Sequence, residues 1–164
     1  MKYKLTEMKL EELEETLELV TKVFNEFEAP DYTTEGVESF YRFANYTNIK
    51  NQLSQNMRIL VSKDNDNILG MIAFRDYSHI SMLFVDKKYH RLGIATELVK
   101  QVKTYCISNN KSLKNITVNS SPYAVEFYHK LGFENTDSEQ TVDGIKFTPM
   151  KLDIYNFKKY EEFK

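Results

Sequence analysis

A glycine turn in the middle of the chain has the composition of an anion-binding loop. Residues 87–100, KKYHRLGIATELVK, put His90 and Arg91 shortly before Gly93 and a run of helical character. A helix N-terminus presents unpaired backbone N–H groups and a partial positive charge, and glycine lets a ligand approach the backbone closely. We therefore expect this turn to hold a phosphate or pyrophosphate. The alternative is a plain strand-to-helix turn in which Gly93 only fits a tight bend.

Other common cofactor and metal sites find no support in the sequence. The P-loop pattern GxxxxGK(S/T) is absent, and the turn lacks the second and third glycines of a Rossmann fingerprint. Cys106 is the only cysteine, which excludes an internal disulfide and a cysteine metal cluster. Its position inside a predicted helix favours a packing role over a nucleophilic one. The acidic run EELEE at 11–15 suits a helix start better than a metal site, so we expect no bound metal.

Composition limits the class of protein and its partners. A chain of 164 residues fits one domain, spanning 1–164, with a real core. The 22 basic residues nearly balance the 24 acidic ones, so no basic field points to nucleic acid or to a membrane surface. No apolar run approaches the roughly 20 residues of a membrane helix, and the N-terminus lacks the apolar segment of a signal peptide. We expect a soluble, cytoplasmic protein.

The elements that must position the glycine turn can be predicted from hydrophobic periodicity. The order is β-α-α-β-β-β-α-β-α-β-β, which predicts an α/β fold of the α+β kind, with a mixed central sheet flanked by helices on both sides. Helices are expected over Leu10 to Phe27, within TTEGVESFYRFAN, from about Leu92 to Ser108 and in SPYAVEFYHKLG. Strands are expected in YKLTEM, MRILVSKD, ILGMIAFRD, HISMLFVD, KNITVNS, FENTDSEQ and IKFTPMKLDIY.

Local signals mark the ends of the last elements. Ser121 is a candidate N-cap, Pro122 suits the first helical position and Gly132 suits the helix stop. Asp143 and Gly144 predict the turn between the last two strands.

Two stretches of the sequence resemble motifs of the GNAT superfamily of N-acyltransferases. The family motif Q/R-x-x-G-x-G/A, after a strand that ends in an apolar residue and Val, corresponds to HRLGIA at 90–95 after MLFVD. About 25 residues on, Asn119 ends a strand and AVEFYHKLGF at 124–133 matches the helix motif A-x-x-F-Y-x-K-L-G-F. The resemblance extends over Met57 to Ile154, whereas the first 56 residues match in element order only. His90 stands where the family has Gln or Arg, yet an imidazole can still donate a hydrogen bond.

The resemblance implies a GNAT-like acyl-CoA N-acyltransferase fold with acetyl-CoA as cosubstrate. Pantetheine would enter as a pseudo-strand between two splayed strands, and its pyrophosphate would sit on the glycine turn. The cofactor-binding residues would be Phe84, Val85, His90, Arg91, Gly93, Ile94, Ala95, Thr96 and Asn119. For His90 the alternative is an exposed turn residue, and for Asn119 a strand-end residue or a helix cap.

The same resemblance implies catalytic roles for three residues. Tyr128 would protonate the leaving thiolate, and the Leu83 N–H would lie near the thioester carbonyl. His79 would be the base, because it lies six residues before Val85, has an unperturbed pKa of about 6.5 and shares a predicted strand face with Ser81, Leu83 and Val85. A buried aromatic and a strand-end histidine facing water are the alternatives for Tyr128 and His79. Ordered water could replace a side-chain base.

The acceptor is expected to be the amine of a small molecule or peptide, acetylated by direct attack in a ternary complex. Phe27, Tyr32 and Tyr41 would flank it, and nearby acids would attract it, namely Glu28, Asp31 and Glu35. The identity of the amine, the length of the acyl group and the oligomeric state, including a homodimer, stay open. A non-catalytic acyl-CoA-binding sensor or interaction module on the same fold is the alternative function.

Overall fold

The computed structural model describes residues 2–154 and contains five helices and eight strands within that range. The helices are α1 Leu13–Phe27, α2 Thr34–Phe43, α3 Tyr46–Leu53, α4 Ile94–Asn109 and α5 Val125–Lys130. The strands are β1 Lys4–Glu7, β2 Met57–Asp64, β3 Asn67–Arg75, β4 His79–Val85, β5 Asn115–Ser120, β6 Glu134–Asn135, β7 Gln140–Val142 and β8 Ile145–Asp153.

The strands form a mixed sheet in the order β1-β2-β3-β4-β5-β8-β6, and β7 pairs with β8. Every pairing is antiparallel except that of β4 with β5, which α4 connects as a crossover. That parallel pair is short, with His79 opposite Thr117 and Ile80 opposite Val118. Beyond Ile80 the register of the two strands ends, and they leave a gap in the middle of the sheet.

Helices cover both faces of the sheet, as the sequence predicts. On one face α4 and α5 pack in a cluster that includes Leu98, Val102 and Phe133. On the other face α1, α2 and α3 contribute Leu13, Phe40 and Ile49 to a second cluster. Because side chains alternate along a strand, β3 contributes Met71 and Ala73 to this second cluster. Burial on both faces explains the nearly continuous apolar sequences of β3 and β4.

Cys106 lies on the inner side of α4 and is fully buried. Burial raises the pKa of its thiol to about 12. The residue therefore packs in the core, as predicted, and is not an available nucleophile.

Helix α3 is absent from the predicted order. Only Ile49 in its eight residues is fully buried, so the segment has no apolar period to reveal it. Its signals are polar instead. The Asn45 side chain accepts a hydrogen bond from the Asn48 N–H at 3.0 Å, and the Asn48 side chain donates to the Phe43 carbonyl at 2.8 Å.

The ends of the chain differ from the prediction in detail. The helix expected from Leu10 begins at Leu13, after one turn of 3-10 helix, and the strand expected in FENTDSEQ is divided between β6 and β7. Asp143 and Gly144 form the predicted two-residue turn, with φ of 53° and 78°. Tyr155, at the end of the last predicted strand, lies outside the described residues.

Strict alternation along β4 is interrupted by a bulge at Ser81. The register with β3 shifts there, so Ile80 packs on the same side of the sheet as Val85. The expected common face of His79, Ser81, Leu83 and Val85 is therefore wrong, because one extra residue reverses the direction of every side chain before it.

Within residues 2–154 no helix is both long enough and apolar enough to cross a bilayer. The same range contains no group of three or more metal-ligating side chains placed to hold an ion.

Candidate active site

Two concave spaces meet at the gap between β4 and β5. One, the turn cleft, has a volume of about 630 Å³ and is lined by the C-terminal end of β4, the glycine turn, the start of α4 and part of α5. The other, the sheet cavity, has a volume of about 620 Å³ and is lined by α2, β4, β5, Tyr128 and the β7–β8 hairpin. The lining residues that both share are Glu28, Leu83, Phe84 and Ala124.

The glycine turn forms an open helix N-terminus in the turn cleft. Gly93 is the N-cap of α4 with φ of 80°, a left-handed conformation that favours glycine, and no side chain caps the helix. A Cβ added at Gly93 would meet nothing within 4 Å, so space remains above the backbone. Eight of the nine predicted cofactor residues line this cleft: Phe84, Val85, His90, Arg91, Gly93, Ile94, Ala95 and Thr96. Asn119 lines the sheet cavity instead.

Within the described residues, β4 has no strand partner where it faces the gap, and the His90 side chain bonds one of its carbonyls there, that of Val85. The Asp86 N–H donates to the Leu69 carbonyl of β3 at 2.9 Å, which fixes the direction of the neighbouring peptide groups. Because backbone groups alternate in direction along a strand, those of Leu83 and Val85 point away from β3 and toward the gap. This edge can pair with an extended ligand.

His90 is neither exposed nor free. Its Nε2 lies 2.7 Å from the Val85 carbonyl oxygen and must donate, since a carbonyl only accepts. Its ring packs on Phe27, with 5.2 Å between ring centroids. Phe27, which the sequence assigns to the acceptor, therefore lines the turn cleft.

Tyr128 lies in the wall of the sheet cavity and is almost fully buried. Its ring packs edge-on against Phe127 and Phe133, at centroid distances of 5.1 and 5.2 Å. Burial, assisted by the Glu28 carboxyl, raises the pKa of the phenol, so it keeps its proton at neutral pH. The side chain is thus both a core aromatic and a proton donor in contact with the cavity.

His79 also lines the sheet cavity, but its environment differs from the expectation. Burial, with a contribution from Arg75, lowers the pKa of its imidazole to about 4. Its Nδ1 is 2.7 Å from the Thr117 hydroxyl, within hydrogen-bond distance. In this environment the pKa lies below its unperturbed value, so the ring is neutral at neutral pH, and the role of His79 as the base stays a prediction.

Glu28 is the ionisable residue that lines both the turn cleft and the sheet cavity among the described residues. It follows α1 directly, and it is one of the four residues that line both spaces. Burial raises its pKa to about 7, the Ser121 hydroxyl partly offsets this rise, and Asp31 adds a smaller upward contribution. The sequence offers Glu28 only as a charge near a helix end, because its burial depends on elements distant in the chain.

Of the two other residues assigned to the acceptor, one lines a cavity and one does not. Tyr32 lines the sheet cavity, whereas Tyr41 lies outside both linings and donates its hydroxyl hydrogen to the Asn25 side chain. Phe40 and Phe43 also line the cavity, within the segment 27–43 that the sequence places on the acceptor side. Lining residues that the sequence does not predict include Gln52 of α3 and the hairpin residues Val142, Asp143, Ile145 and Phe147.

The β7–β8 hairpin closes the sheet cavity by docking on α2. A Cβ on Gly36 would overlap the Gly144 carbonyl, so the turn and the helix touch through their backbones. The Ser39 hydroxyl also donates to the Asp143 carbonyl at 2.9 Å. This contact fixes the hairpin as a roof over the cavity.

Comparison with known families agrees with this geometry. The family model described as an acetyltransferase (GNAT) domain matches residues 28–154, which include both motifs and the residues that line both cavities except Val23 and Phe27. The chain belongs to the GNAT acetyltransferase family. The resemblance seen in the sequence is confirmed, and the family match begins at Glu28, well before the part of the chain that the motifs cover.

Solved GNAT structures share the fold at low sequence identity. A GCN5-related N-acetyltransferase from Rhodopseudomonas palustris has a TM-score of 0.80 at 20% identity, covering 93% of this chain and 96% of that one. The PaiA N-acetyltransferase from Thermoplasma acidophilum, in complex with coenzyme A, has a TM-score of 0.76 at 17% identity, covering 93% and 99%. A GNAT acetyltransferase from Staphylococcus aureus Mu50 has a TM-score of 0.71 at 19% identity, covering 93% and 99%. No curated protein sequence matches.

Proposed function

We propose that the protein is an N-acetyltransferase that moves the acetyl group of acetyl-CoA to a primary amine by direct attack in a ternary complex. The observation that carries this proposal is the junction of the turn cleft and the sheet cavity beside the unpaired edge of β4. Two substrates can enter from opposite sides and meet there. Holding them in line supplies much of the rate enhancement of such a reaction.

The residues of the turn cleft fit acetyl-CoA. The open N-terminus of α4 at Gly93 suits a pyrophosphate, and Arg91 and Lys130 add positive charge to the lining. The backbone of Leu83 and Val85 can pair with the amides of pantetheine. The Thermoplasma acidophilum relative, solved with coenzyme A, supports the same ligand class.

The chemistry assigned to this chain needs two donors at the junction. The amine nitrogen forms a bond to the thioester carbonyl carbon, and the carbon–sulfur bond breaks. The Leu83 N–H donates to the carbonyl oxygen as it gains negative charge, a role supported by the direction of this backbone group toward the gap. Tyr128 gives its proton to the departing sulfur, and the protonated state of its phenol at neutral pH suits this role.

The acceptor is the amine of a small molecule or peptide that enters the sheet cavity. Aromatic side chains dominate one part of the wall, including Tyr32, Phe40 and Phe147. The hairpin roof favours a narrow acceptor over a broad protein surface. We further propose a cytoplasmic location, in line with the expectation from the sequence.

A panel of amines tests the proposal. The purified protein is incubated with acetyl-CoA and each amine, and mass spectrometry measures the acetylated product. We expect turnover with at least one class among amino acids, polyamines, aminoglycosides and peptide N-termini. Tight binding of acetyl-CoA by calorimetry without acetylation of any amine would favour the non-catalytic sensor instead.

A further inference from the structure

The junction of the two cavities contains one ionisable side chain among the described residues. Of the four residues that line both spaces, Leu83, Phe84 and Ala124 are apolar and Glu28 carries a carboxyl group. The position of Glu28 is fixed by the end of α1, where its N–H donates to the Phe24 carbonyl at 3.0 Å. A group at this point reaches an amine in the sheet cavity and a thioester in the turn cleft.

Among the described residues, the groups that act on the charge of Glu28 are acidic or neutral, although Arg91 and Lys130 line the turn cleft and Arg75 lines the sheet cavity. The groups that act on its charge are Asp31 and the Ser121 hydroxyl, and Glu28 itself acts on the phenols of Tyr32 and Tyr128. The Ser121 hydroxyl is buried and has no partner of regular hydrogen-bond geometry within residues 2–154, so its interaction with the carboxyl is a loose one. Glu28 is half-buried and has no paired cation among the groups that act on its charge, and carboxylates with such raised pKa values cluster at functional sites.

A cationic acceptor would supply the missing counter-charge. An amine enters as an ammonium ion at neutral pH and must lose a proton before it can attack. The carboxylate is the group at the junction that can both attract this cation and take its proton. Its pKa of about 7 suits a base that works near neutrality, whereas that of His79, about 4, does not.

We propose that Glu28 is the base of the reaction, accepting a proton from the acceptor ammonium at the junction of the two cavities, directly or through one water molecule. This inference rests on the proposed function. The neutral nitrogen then bonds to the carbonyl carbon as the carbon–sulfur bond breaks and Tyr128 protonates the sulfur. The second proton of the attacking nitrogen replaces the one that Tyr128 gave up, and Glu28 releases its proton to solvent.

The pH dependence of the isosteric variant Glu28→Gln tests this role. With a good amine, we expect kcat/KM at pH 7 to fall about 10²- to 10⁴-fold. The wild-type kcat/KM should level off above about pH 7, where Glu28 is ionised and the amine is still an ammonium ion. That pair is the reactive one, so a further rise in pH adds nothing. The variant should keep rising about tenfold per pH unit up to the pKa of the amine, because it depends on free neutral amine from solution.

The neighbouring variant Asp31→Asn is the matched control. Asp31 is exposed and lines neither cavity, but it helps to raise the pKa of Glu28. This change should move the acidic limb of the wild-type profile to lower pH and leave its plateau height unchanged. Calorimetry should give all three proteins the same affinity for acetyl-CoA within about twofold, since the β4 backbone and the glycine turn hold it.

A second measurement does not depend on activity. The folded protein holds a proton on Glu28 up to about pH 7, whereas an unfolded glutamate releases it near 4.5, so the folded state binds more protons between these values. This group therefore lowers stability as the pH rises from 4.5 through 7. The thermal midpoint of Glu28→Gln minus that of wild type should therefore be larger at pH 8 than at pH 5.

The outcomes separate the two claims. Wild-type acetylation with an unchanged profile in Glu28→Gln would overturn the base and leave the proposed function intact. Acetylation of no amine by the wild type would overturn both. If the thermal midpoints of Glu28→Gln and wild type differ by the same amount at pH 5 and pH 8, the pKa of Glu28 is not raised. The reason to prefer Glu28 over water as the base would then be lost.

Discussion

Burial sets the chemical character of three titratable side chains in the sheet cavity, Glu28, His79 and Tyr128. The same cause raises the pKa of Tyr128 and of Glu28 and lowers that of His79, because burial always disfavours the charged form. At neutral pH the phenol is therefore a fixed donor, the imidazole is neutral and the carboxyl is poised between its two states.

Removing one hydroxyl tests the proposed acid. Tyr128→Phe keeps the ring that packs on Phe127 and Phe133 but has no proton to give. We expect kcat to fall about 10²- to 10⁴-fold with an unchanged affinity for acetyl-CoA. Steady-state kinetics and calorimetry measure the two quantities. Tyr105→Phe, on α4 and outside both cavity linings, is the control, and equal kcat values for the two variants would exclude Tyr128 from the reaction.

Sequence reasoning at the residue scale succeeds where a motif is local. The glycine turn follows β4 and opens α4 as the motif predicts, because the strand end at Val85 and the helix start at Ile94 lie close together in the chain. The pKa shifts of Glu28 and His79 could not be predicted in the same way, because they depend on burial by elements that lie far apart in the chain. The roles of Tyr128, Leu83 and Asn119 stay predictions.

At the scale of elements, the site depends on how backbones meet. The bulge at Ser81 and the short β4–β5 register open the gap, and neither has a sequence signal, since both are properties of the pairing. Helix α3 and the hairpin roof escape prediction for a related reason. Their apolar residues are few, and their positions follow from contacts with α2 and the sheet.

Charge at the glycine turn can be tested without changing its shape. Asp and Asn differ little in size, and both tolerate the left-handed φ of Gly93 better than other residues do. We expect Gly93→Asp to weaken binding of acetyl-CoA at least about tenfold more than Gly93→Asn, because a carboxylate would repel the pyrophosphate. Calorimetry at low salt measures both, and equal affinities would place the pyrophosphate elsewhere.

The roof predicts a variant that affects one substrate only. In Gly36→Ala the added methyl group overlaps the Gly144 carbonyl, so the hairpin must move away from α2. We expect KM for the amine to rise several-fold while the affinity for acetyl-CoA stays the same, because no hairpin residue lines the turn cleft. Glu38→Ala, an exposed change on the same helix, is the control. A loss of acetyl-CoA affinity in Gly36→Ala would contradict this division.

At the scale of the whole molecule, one sheet joins all parts of the site. The first strand, α1 and α2 pack on the same sheet as the motif-bearing half, and the fold class is as the sequence predicts. These contacts support our proposal that residues 1–164 form one domain. Periodicity is enough for this level of prediction, since burial on two faces leaves a strong pattern in β2, β3 and β4.

A ligand held by both halves of the sheet should stabilise the entire fold. At 100 times its dissociation constant, acetyl-CoA would add about 2.7 kcal/mol to the free energy of unfolding. For a chain of this size that is a rise of about 5–10 °C in the thermal midpoint. Differential scanning fluorimetry over a range of acetyl-CoA concentrations measures it, and a midpoint that does not move would contradict binding to the native state.

The buried position of Cys106 makes the chain convenient for thiol-specific reagents. The folded protein presents no reactive sulfhydryl, because its single cysteine is fully buried and has a pKa of about 12. A chromogenic disulfide added during turnover would therefore count only the sulfhydryl of released coenzyme A. In the absence of substrates, the same reagent would label Cys106 each time α4 leaves the core, and the labelling rate would report how often the folded molecule opens.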